Sequence, residues 1–287
     1  MGNPMSLSTH LGLGLQRLPQ GDAKQLFGSG DAAHAYEYVG VPKVKDLDPG
    51  ELAVVARATE RRVRTFAAGR ICAHAALAAR GSDRTPLLPD PAGQPDWPAD
   101  APGSIAHVDG YAIAAVLADP RLHVGIGVDA EALGAMSREV AQAIFTPAEC
   151  RRLATLEADA WMAAATLMFC AKEAFYKAQF RLTGAWVDFH DLEVRIEPTG
   201  VSLHPASDHE PLAMLRWPLS VGHTVRRDVV VAAVLIPMAS LATCGASSFK
   251  GRPGRSMGKR STRPPGEPRL FDPGSYRSRG GCPPTLR

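Results

Sequence analysis

Apolar residues recur at roughly helical spacing in two long segments of the chain. The second segment extends over residues 159 to 182, and the first lies within "PGELAVVARATERRVRTFAAGRICAHAALAARG". The spaced apolar positions of the first segment are Leu52, Val55, Val63, Phe66, Ile71, Ala75 and Leu77. Residues three and four apart lie on one side of a helix, so this spacing predicts two long helical regions with a buried face. Gly81 predicts the end of the first.

Shorter apolar runs predict strands between and after these helices. "SIAHVDGYAIAAVL" predicts a hairpin around its Asp-Gly turn, and "HVGIGVDAEAL" predicts a strand that ends in two carboxylates. Further helices are predicted from about Ser137 and from Thr146, where Pro147 favours a helix start. The remaining predicted strands are "WVDFHDLEVRIEP", "GVSLHP", "PLAMLRWPLS" and "RDVVVAAVLIP".

Helices and antiparallel strands in this order predict an α+β fold rather than a doubly wound sheet. Residues 1–47 are rich in Gly and show no strong periodicity, so an irregular segment is expected there. No internal repeat is visible at the level of residue identity.

The charge of the chain is uneven. Residues 248–287 hold ten Lys or Arg and two Asp or Glu, whereas residues 1–247 carry a net charge of −5. The basic segment contains seven Pro and seven Gly, a composition typical of disorder. Its arginines, with Phe271 and Tyr276, offer a nucleic-acid or anionic surface as an alternative to an unstructured appendage. The composition favours the appendage, and a nucleic-acid partner is not expected.

Cysteine usage and hydropathy predict a cytoplasmic protein. The five cysteines form no C-x-x-C pair, and Cys72 and Cys170 lie in apolar helical runs as small hydrophobic residues would. No secretory signal pattern opens the sequence. The longest apolar run, from Val229, is too short to span a bilayer and contains Pro237, so no membrane partner is expected.

Three charged residues interrupt the second apolar helix, in the segment "FCAKEAFYKAQF". At about 100° per residue, Lys172, Glu173 and Lys177 fall within an arc of about 140°, together with Tyr176 and Phe180. The alternative is a solvated face with a Glu-to-Lys pair four residues apart. Aromatic residues between the charges argue against solvent exposure, so a functional role stands beside the solvated face as a second interpretation.

The motif "GVDAE" places two carboxylates at the end of an apolar strand. Asp129 and Glu131 are two residues apart and would therefore point to one face of that strand. Two like charges that converge repel each other unless a cation lies between them, and Mg²⁺ prefers such oxygen ligands. The alternative is an ordinary strand end that enters a solvated turn, since a D-x-E triplet is common.

Three further residues could contact phosphate groups. His107 lies near a strand end in "GSIAHVDGYA", and Arg64 and Arg70 lie in "RTFAAGR". An imidazole can donate a hydrogen bond to phosphate, and a guanidinium matches phosphate oxygens with two donors. Taken singly, a structural histidine and a solvated helix face are the preferred interpretations. Together with the three carboxylates and the two lysines, these residues predict Mg²⁺-assisted transfer at phosphorus.

Five segments resemble the motifs of a known family, in the same order over residues 57 to 237. They are "RTFAAGRICAHAAL", "GQPDWP", "GSIAHVDGYAIAAV", "GVDAE" and "FCAKEAFYK". The chain resembles a 4′-phosphopantetheinyl transferase of the single-chain, two-module type, in the enterobactin synthase component D-like branch that serves siderophore synthetases. The resemblance implies transfer of phosphopantetheine from coenzyme A to a serine of an acyl, peptidyl or aryl carrier domain, with release of 3′,5′-ADP.

The resemblance also implies a fold and the roles of individual residues. Two similar half-modules would be related by a pseudo-twofold axis, with the active site in the cleft between them. The implied metal ligands are Asp129, Glu131 and Glu173, with Glu173 also the base for the serine hydroxyl. The residues expected at the coenzyme A phosphates are Lys177, which would also assist the leaving group, Lys172, His107, Arg64 and Arg70.

The implied division of the chain has four parts. They are an irregular segment (1–47), a first half-module (48–123), a second half-module (124–240) and the basic tail (241–287). Ala106, Gln94 and Cys170 depart from residues common in the family, but no expected metal ligand is replaced. An inactive module that only binds coenzyme A or a carrier domain is the alternative function. The carrier, the oligomeric state and the choice between Mg²⁺ and Mn²⁺ are left open.

Overall fold

A computed structural model describes residues 14–83 and 85–242, which fold as one compact unit. The basic segment 248–287, for which disorder was predicted, lies outside the described residues. No helix in the described ranges is both long enough and apolar enough to cross a bilayer.

The first half of the fold places one long helix against an antiparallel sheet. Its elements are β1 (Gly14–Arg17), α1 (Gln20–Phe27), β2 (Ala33–Val39), α2 (Pro49–Val54), α3 (Glu60–Arg80), β3 (Gly103–Val108) and β4 (Tyr111–Leu117). The strand order in the sheet is β1-β2-β4-β3. The β3–β4 hairpin was predicted from its Asp-Gly turn and is confirmed.

The prediction that residues 1–47 are irregular is wrong for β1, α1 and β2. In β2 the sequence "AHAYEYV" alternates between buried and half-buried positions, as a strand with one buried face requires. Two of the buried residues of this strand are alanines and a third, Glu37, is charged, so its hydrophobic signal is weak. One of its two partner strands, β4, lies about 80 residues away, with Tyr36 opposite Ala114, and a local pattern cannot reveal such a pairing.

Two capped helices replace the single helical region predicted from residue 49. The Asp48 side chain accepts a hydrogen bond from the amide of Gly50 at the start of α2. The Thr59 hydroxyl accepts one from the amide of Arg62 at the start of α3. Such caps satisfy amides that the first turn leaves unpaired. Gly81 ends α3 with φ at 85°, as predicted from the sequence.

The second half repeats the layout of a long helix on an antiparallel sheet. Its elements are β5 (His123–Ala132), α4 (Arg138–Ile144), α5 (Pro147–Leu153), α6 (Ala158–Thr183), β6 (Leu192–Glu197), β7 (Gly200–Pro205), α7 (Glu210–Ala213), β8 (Leu219–Arg226) and β9 (Val229–Pro237). The strand order is β5-β9-β8-β7-β6. The strand predicted over "PLAMLRWPLS" is wrong in its first part, where α7 forms and β8 begins only at Leu219.

Helix α6 lies very close to β5 because two glycines leave room for it. A Cβ atom on Gly127 would collide with the carbonyl oxygen of Ala174, and one on Gly125 would lie 2.8 Å from the carbonyl oxygen of Ala178. A side chain at either position would push the helix away from the strand. The two glycines of "VGIGV" therefore set the distance between the strand that carries Asp129 and the helix that carries Glu173.

The two halves meet along the edge strands β3 and β5. The amide of Val128 on β5 donates a hydrogen bond of 3.0 Å to the hydroxyl of Ser104 on β3. Buried residues of both sheets form one core at this junction, including Ile113 from the first and Val231 from the second. The expected α+β fold of two similar halves is confirmed. The boundary predicted between residues 123 and 124 lies between the first two residues of β5, and it stays a prediction.

Candidate active site

Lys177 on α6 contacts both halves of the fold. Its ammonium nitrogen donates to Oδ1 of Asp129 at 2.6 Å and to the carbonyl oxygen of Val128 at 3.1 Å, both on β5. It also donates to the carbonyl oxygen of Ile105 on β3, at 3.5 Å. Burial lowers the pKa of Lys177, but the negative charges of Asp129, Glu173 and Glu131 raise it by more, so the net shift of the pKa is upward. Lys177 is therefore a charged lysine at the junction of the two halves.

Glu173 lies one helical turn before Lys177 and is 8% exposed. Burial and the nearby charge of Asp129 raise the pKa of the Glu173 carboxyl from 4.5 to about 7, against the opposing effect of Lys177. A carboxyl group that titrates near neutrality can accept a proton at physiological pH. The geometry of α6 thus produces a candidate base beside a candidate phosphate-binding cation.

The residues around Asp129 fit a divalent cation in part. Oδ2 of Asp129 is buried and receives no hydrogen bond from the described residues, and the Glu173 carboxylate is close enough for repulsion to raise its pKa. An unpaired carboxylate oxygen next to a second carboxylate favours a cation between them. Across residues 14–83 and 85–242, however, no three His, Cys, Asp or Glu side chains are arranged to hold a metal ion. Glu131 therefore does not form a three-carboxylate metal site with Asp129 and Glu173 in this structure, in which Lys177 is bound to Asp129.

His107 on β3 faces the same junction from the first half. Its Nε2 atom lies 3.2 Å from Nη1 of Arg62. A guanidinium can only donate, so Nε2 is the acceptor and the imidazole proton is assigned to Nδ1. Burial, followed by the charges of Arg62 and Lys177, lowers the pKa of His107 to about 4. His107 is therefore a neutral donor at pH 7, surrounded by cations.

Arg70 reaches the junction from α3. Its guanidinium lies 4.5 Å from the centroid of the Phe66 ring, and the side chain is 8% exposed. A Cβ atom on the preceding Gly69 would lie 2.7 Å from Ile105 and 3.9 Å from His107, so α3 and β3 are in direct contact here. Burial and the charge of Arg62 lower the pKa of Arg70 to about 10, against the effect of Glu51.

Arg62 belongs to this group, although the sequence pattern did not single it out. On α3 it lies about 80° from Arg70, whereas Arg64 lies about 160° from Arg62. Arg64 instead pairs with Glu60 at 2.8 Å on a partly exposed face, and nothing brings it to His107. The spacing of eight residues between Arg62 and Arg70 was the signal that could have identified the two arginines near His107.

Lys172 does not lie with Glu173 and Lys177, which corrects its predicted phosphate contact. Its ammonium nitrogen is 2.7 Å from Oε2 of Glu149 and also donates to the carbonyl oxygens of Phe189 and Leu192. The residue is 1% exposed. About 100° separates Lys172 from Glu173 on the helix, which is enough for the two side chains to face different neighbours. Lys172 is an internal anchor of α6.

Two family models match the chain. The 4′-phosphopantetheinyl transferase N-terminal domain matches residues 50–117, and the 4′-phosphopantetheinyl transferase superfamily matches residues 125–234. The 4′-phosphopantetheinyl transferase Svp of Streptomyces mobaraensis is 38% identical over 169 residues, which cover 58% of this chain and 67% of that protein. The enterobactin synthase component D of Escherichia coli K12 is 39% identical over 123 residues, which cover 42% of this chain and 56% of that protein.

Solved structures also match the chain. A holo-(acyl-carrier-protein) synthase from Bacillus anthracis, solved in complex with CoA (3′,5′-ADP), is 24% identical to it. The match covers 40% of this chain and 97% of that chain, with a TM-score of 0.32.

Proposed function

Since the chain belongs to the 4′-phosphopantetheinyl transferase family, we propose a Mg²⁺-dependent transfer from coenzyme A to an apo carrier protein. The phosphopantetheine group would be attached to a serine of the carrier, and 3′,5′-ADP would be released. Lys177 supports this proposal most directly, because it is a charged lysine that contacts both halves beside a carboxyl group with a pKa near 7. The likeness to enterobactin synthase component D supports a role in siderophore or other nonribosomal peptide or polyketide synthesis.

Each side chain would have a separate task. Glu173 would accept the proton of the carrier serine hydroxyl, since its carboxylate lies beside Asp129 and one helical turn before Lys177. Lys177 would donate to the pyrophosphate oxygens and neutralise the charge that develops on the leaving group. The first half would contribute His107, Arg62 and Arg70, whose donors face the junction and suit the phosphates of coenzyme A.

Asp129 and Glu173 would hold the Mg²⁺ ion, with Glu131 as a third oxygen ligand. The buried and unpaired Oδ2 atom of Asp129 supports this assignment. When bound, Mg²⁺ would offset the negative charge of the diphosphate and of these carboxylates. Lys177 would then have to exchange its contact with Asp129 for one with the substrate. We propose a cytoplasmic location, where coenzyme A and carrier proteins would both be available.

The test is intact-mass spectrometry of several apo carrier proteins incubated with this protein, coenzyme A and Mg²⁺. We expect one carrier to gain the mass of phosphopantetheine, and no gain when Mg²⁺ is chelated. Glu173→Gln should abolish the gain while the variant stays folded, and Asp129→Asn should raise the Mg²⁺ concentration required by about tenfold or more. A truncated chain that ends at residue 247 should retain transfer.

The alternative function, a module that binds coenzyme A or a carrier without chemistry, predicts a different result. Such a protein would bind coenzyme A in calorimetry but leave the mass of every carrier unchanged. Full transfer by Glu173→Gln would contradict the role assigned to Glu173. The same experiment therefore separates the two functions and tests the proposed base.

A further inference from the structure

Two fully buried glutamates occupy equivalent positions in the two halves. Glu51 is the third residue of α2 and Glu149 the third residue of α5, and both helices begin with proline. Glu51 pairs with His74, and Glu149 pairs with Lys172, in each case 23 residues further along the chain. Each carboxylate also accepts a hydrogen bond from a backbone amide, that of Leu87 in the first half and that of Val194 in the second.

The long helices α3 and α6 share a short sequence at the same spacing. "CAHAAL" begins at Cys72 and "CAKEAF" begins at Cys170, 98 residues later, and Glu51 precedes Glu149 by the same number. The expectation that the chain has no repeat is therefore corrected for this segment. Where the second half has Glu173 and Lys177, the first half has alanines. The first half has kept the glutamate anchor but carries no counterpart of the catalytic pair.

The equivalence between the two halves does not extend to Arg70. The residue 98 positions later is Met168, a buried apolar residue of α6. In the first half, Nε of Arg70 lies 3.8 Å from Oε1 of Glu51, so one carboxylate serves both His74 and Arg70. Nε of Arg70 and Oε2 of Glu51 are both buried, and neither has a hydrogen-bond partner among the described residues.

A buried guanidinium without a counter-charge destabilises the folded protein, and Glu51 supplies the negative charge beside Arg70. Phe66 stacks on the guanidinium, and the Gly69 contact brings this turn of α3 next to His107. The Arg70 side chain is thus held on two sides and keeps little exposed surface. Such an arrangement presents donors to one ligand position at a small entropic cost.

We propose that Glu51 is a positioning residue for coenzyme A: anchored on the Leu87 amide and on His74, it fixes the Arg70 guanidinium to bind the 3′-phosphate. This inference rests on the proposed function, because it takes coenzyme A as the ligand of the junction. Glu51 itself would not touch the substrate. Its counterpart Glu149 would have only the structural task of anchoring Lys172.

The test compares Glu51→Gln with the matched control Glu149→Gln. Glutamine keeps the shape of the side chain but removes its charge, and circular dichroism checks that each variant is folded. Calorimetry then gives the Kd for coenzyme A and for 3′-dephospho-coenzyme A, and carrier labelling gives KM and kcat. We expect Glu51→Gln to raise Kd and KM for coenzyme A about tenfold, because Arg70 would lose its buried counter-charge, with kcat changed less than about twofold.

The two variants should differ in specificity rather than in stability. Both should lower Tm, but Glu51→Gln alone should weaken the preference for coenzyme A over the dephospho form. An unchanged preference in folded Glu51→Gln would overturn the proposal and make Glu51 purely structural. If Glu51→Gln does not fold, Glu51→Asp is compared with Arg70→Lys and with the double variant. Losses that simply add in the double variant would also refute the proposal.

Failure of the positioning role proposed for Glu51 can be distinguished from failure of the proposed transferase function. If no carrier protein is labelled by the unaltered chain, the transferase proposal fails, but calorimetry still reports whether Glu51 controls the binding of coenzyme A. If labelling succeeds while Glu51→Gln keeps the preference of the unaltered protein, only the positioning role is lost.

Discussion

The guanidinium of Arg226 on β8 binds the carboxylate of Glu37 on β2, with 2.6 Å between Nη2 and Oε1. The two residues belong to different halves of the fold, and Glu37 is fully buried. Arg226 also contacts Asp22 on α1, at 2.6 Å, and the Tyr111 hydroxyl donates to Oε2 of Glu37. This buried network joins the two sheets through side chains of the N-terminal segment that was expected to be irregular.

Glu37→Gln should therefore destabilise the whole unit by about 3–5 kcal/mol, because Arg226 would be left as a buried charge with a weaker partner. Urea unfolding followed by tryptophan fluorescence would measure this loss. The control is Asp119→Asn, which breaks the exposed ion pair with Arg121 and should have no measurable effect. Equal stability of the two variants would show that the network does not hold the halves together.

Lys172→Met should destabilise the protein by about 3–5 kcal/mol, because Glu149 would keep a buried charge without its partner. Replacing both residues, in Lys172→Met with Glu149→Gln, should recover part of that loss, because glutamine removes the unpaired charge and keeps an oxygen that can accept from the Val194 amide. Chemical unfolding of the single and double variants would check both expectations. The KM for coenzyme A should stay unchanged in the double variant, and a large increase would reinstate the phosphate contact predicted for Lys172.

Gly127→Ala should be strongly destabilising, by about 3 kcal/mol or more, because the added methyl group would overlap the carbonyl oxygen of Ala174 on α6. Activity should fall as well, since the collision displaces the helix that carries Glu173. Gly21→Ala on α1 is the control. That position has open space around it, and alanine there should stabilise the protein by about 0.4–1 kcal/mol. Similar thermal midpoints for the two variants would contradict the close contact between α6 and β5.

The raised pKa of Glu173 predicts how stability depends on pH in the presence of a chelator. The folded protein binds the proton of Glu173 more tightly than the unfolded chain does, so protonation of Glu173 stabilises the fold. This stabilisation is complete below about pH 4.5. It is lost as the pH rises through about 7, and it amounts to roughly 3 kcal/mol. Glu173→Gln should lack this contribution and be the more stable protein at pH 8, as urea unfolding at several pH values would show.

The control for the pH prediction is Glu197→Gln, which changes an exposed glutamate at the end of β6. Its unfolding free energy should follow the pH dependence of the unaltered protein. An unaltered pH dependence in Glu173→Gln would mean that the Glu173 carboxyl titrates in its ordinary range and that its burial beside Asp129 has no energetic consequence.

Much of the second half could be predicted from local sequence. Pro147 predicted the start of α5, helical spacing predicted α6, and apolar runs predicted β5 and β9, because α6 and these strands bury long, strongly apolar faces. The strand β2 escaped prediction since its buried residues are two alanines, one valine and the charged Glu37. Its place in the sheet depends on β4, far along the chain, and not on its own hydrophobicity.

By itself, the sequence determined which residues of the second half are candidates for the chemistry, since the motifs around Asp129 and Glu173 are short and local. Only the tertiary structure decided which cations join them. Lys172 and Glu173 are neighbours in sequence, but α6 turns one side chain into the core and the other towards Asp129. On α3, likewise, Arg62 contacts His107, whereas Arg64, for which a phosphate contact was predicted, pairs with Glu60. The physical reason is that the rotation of a helix relative to its sheet is fixed by packing across the whole unit, which no local pattern of residues records.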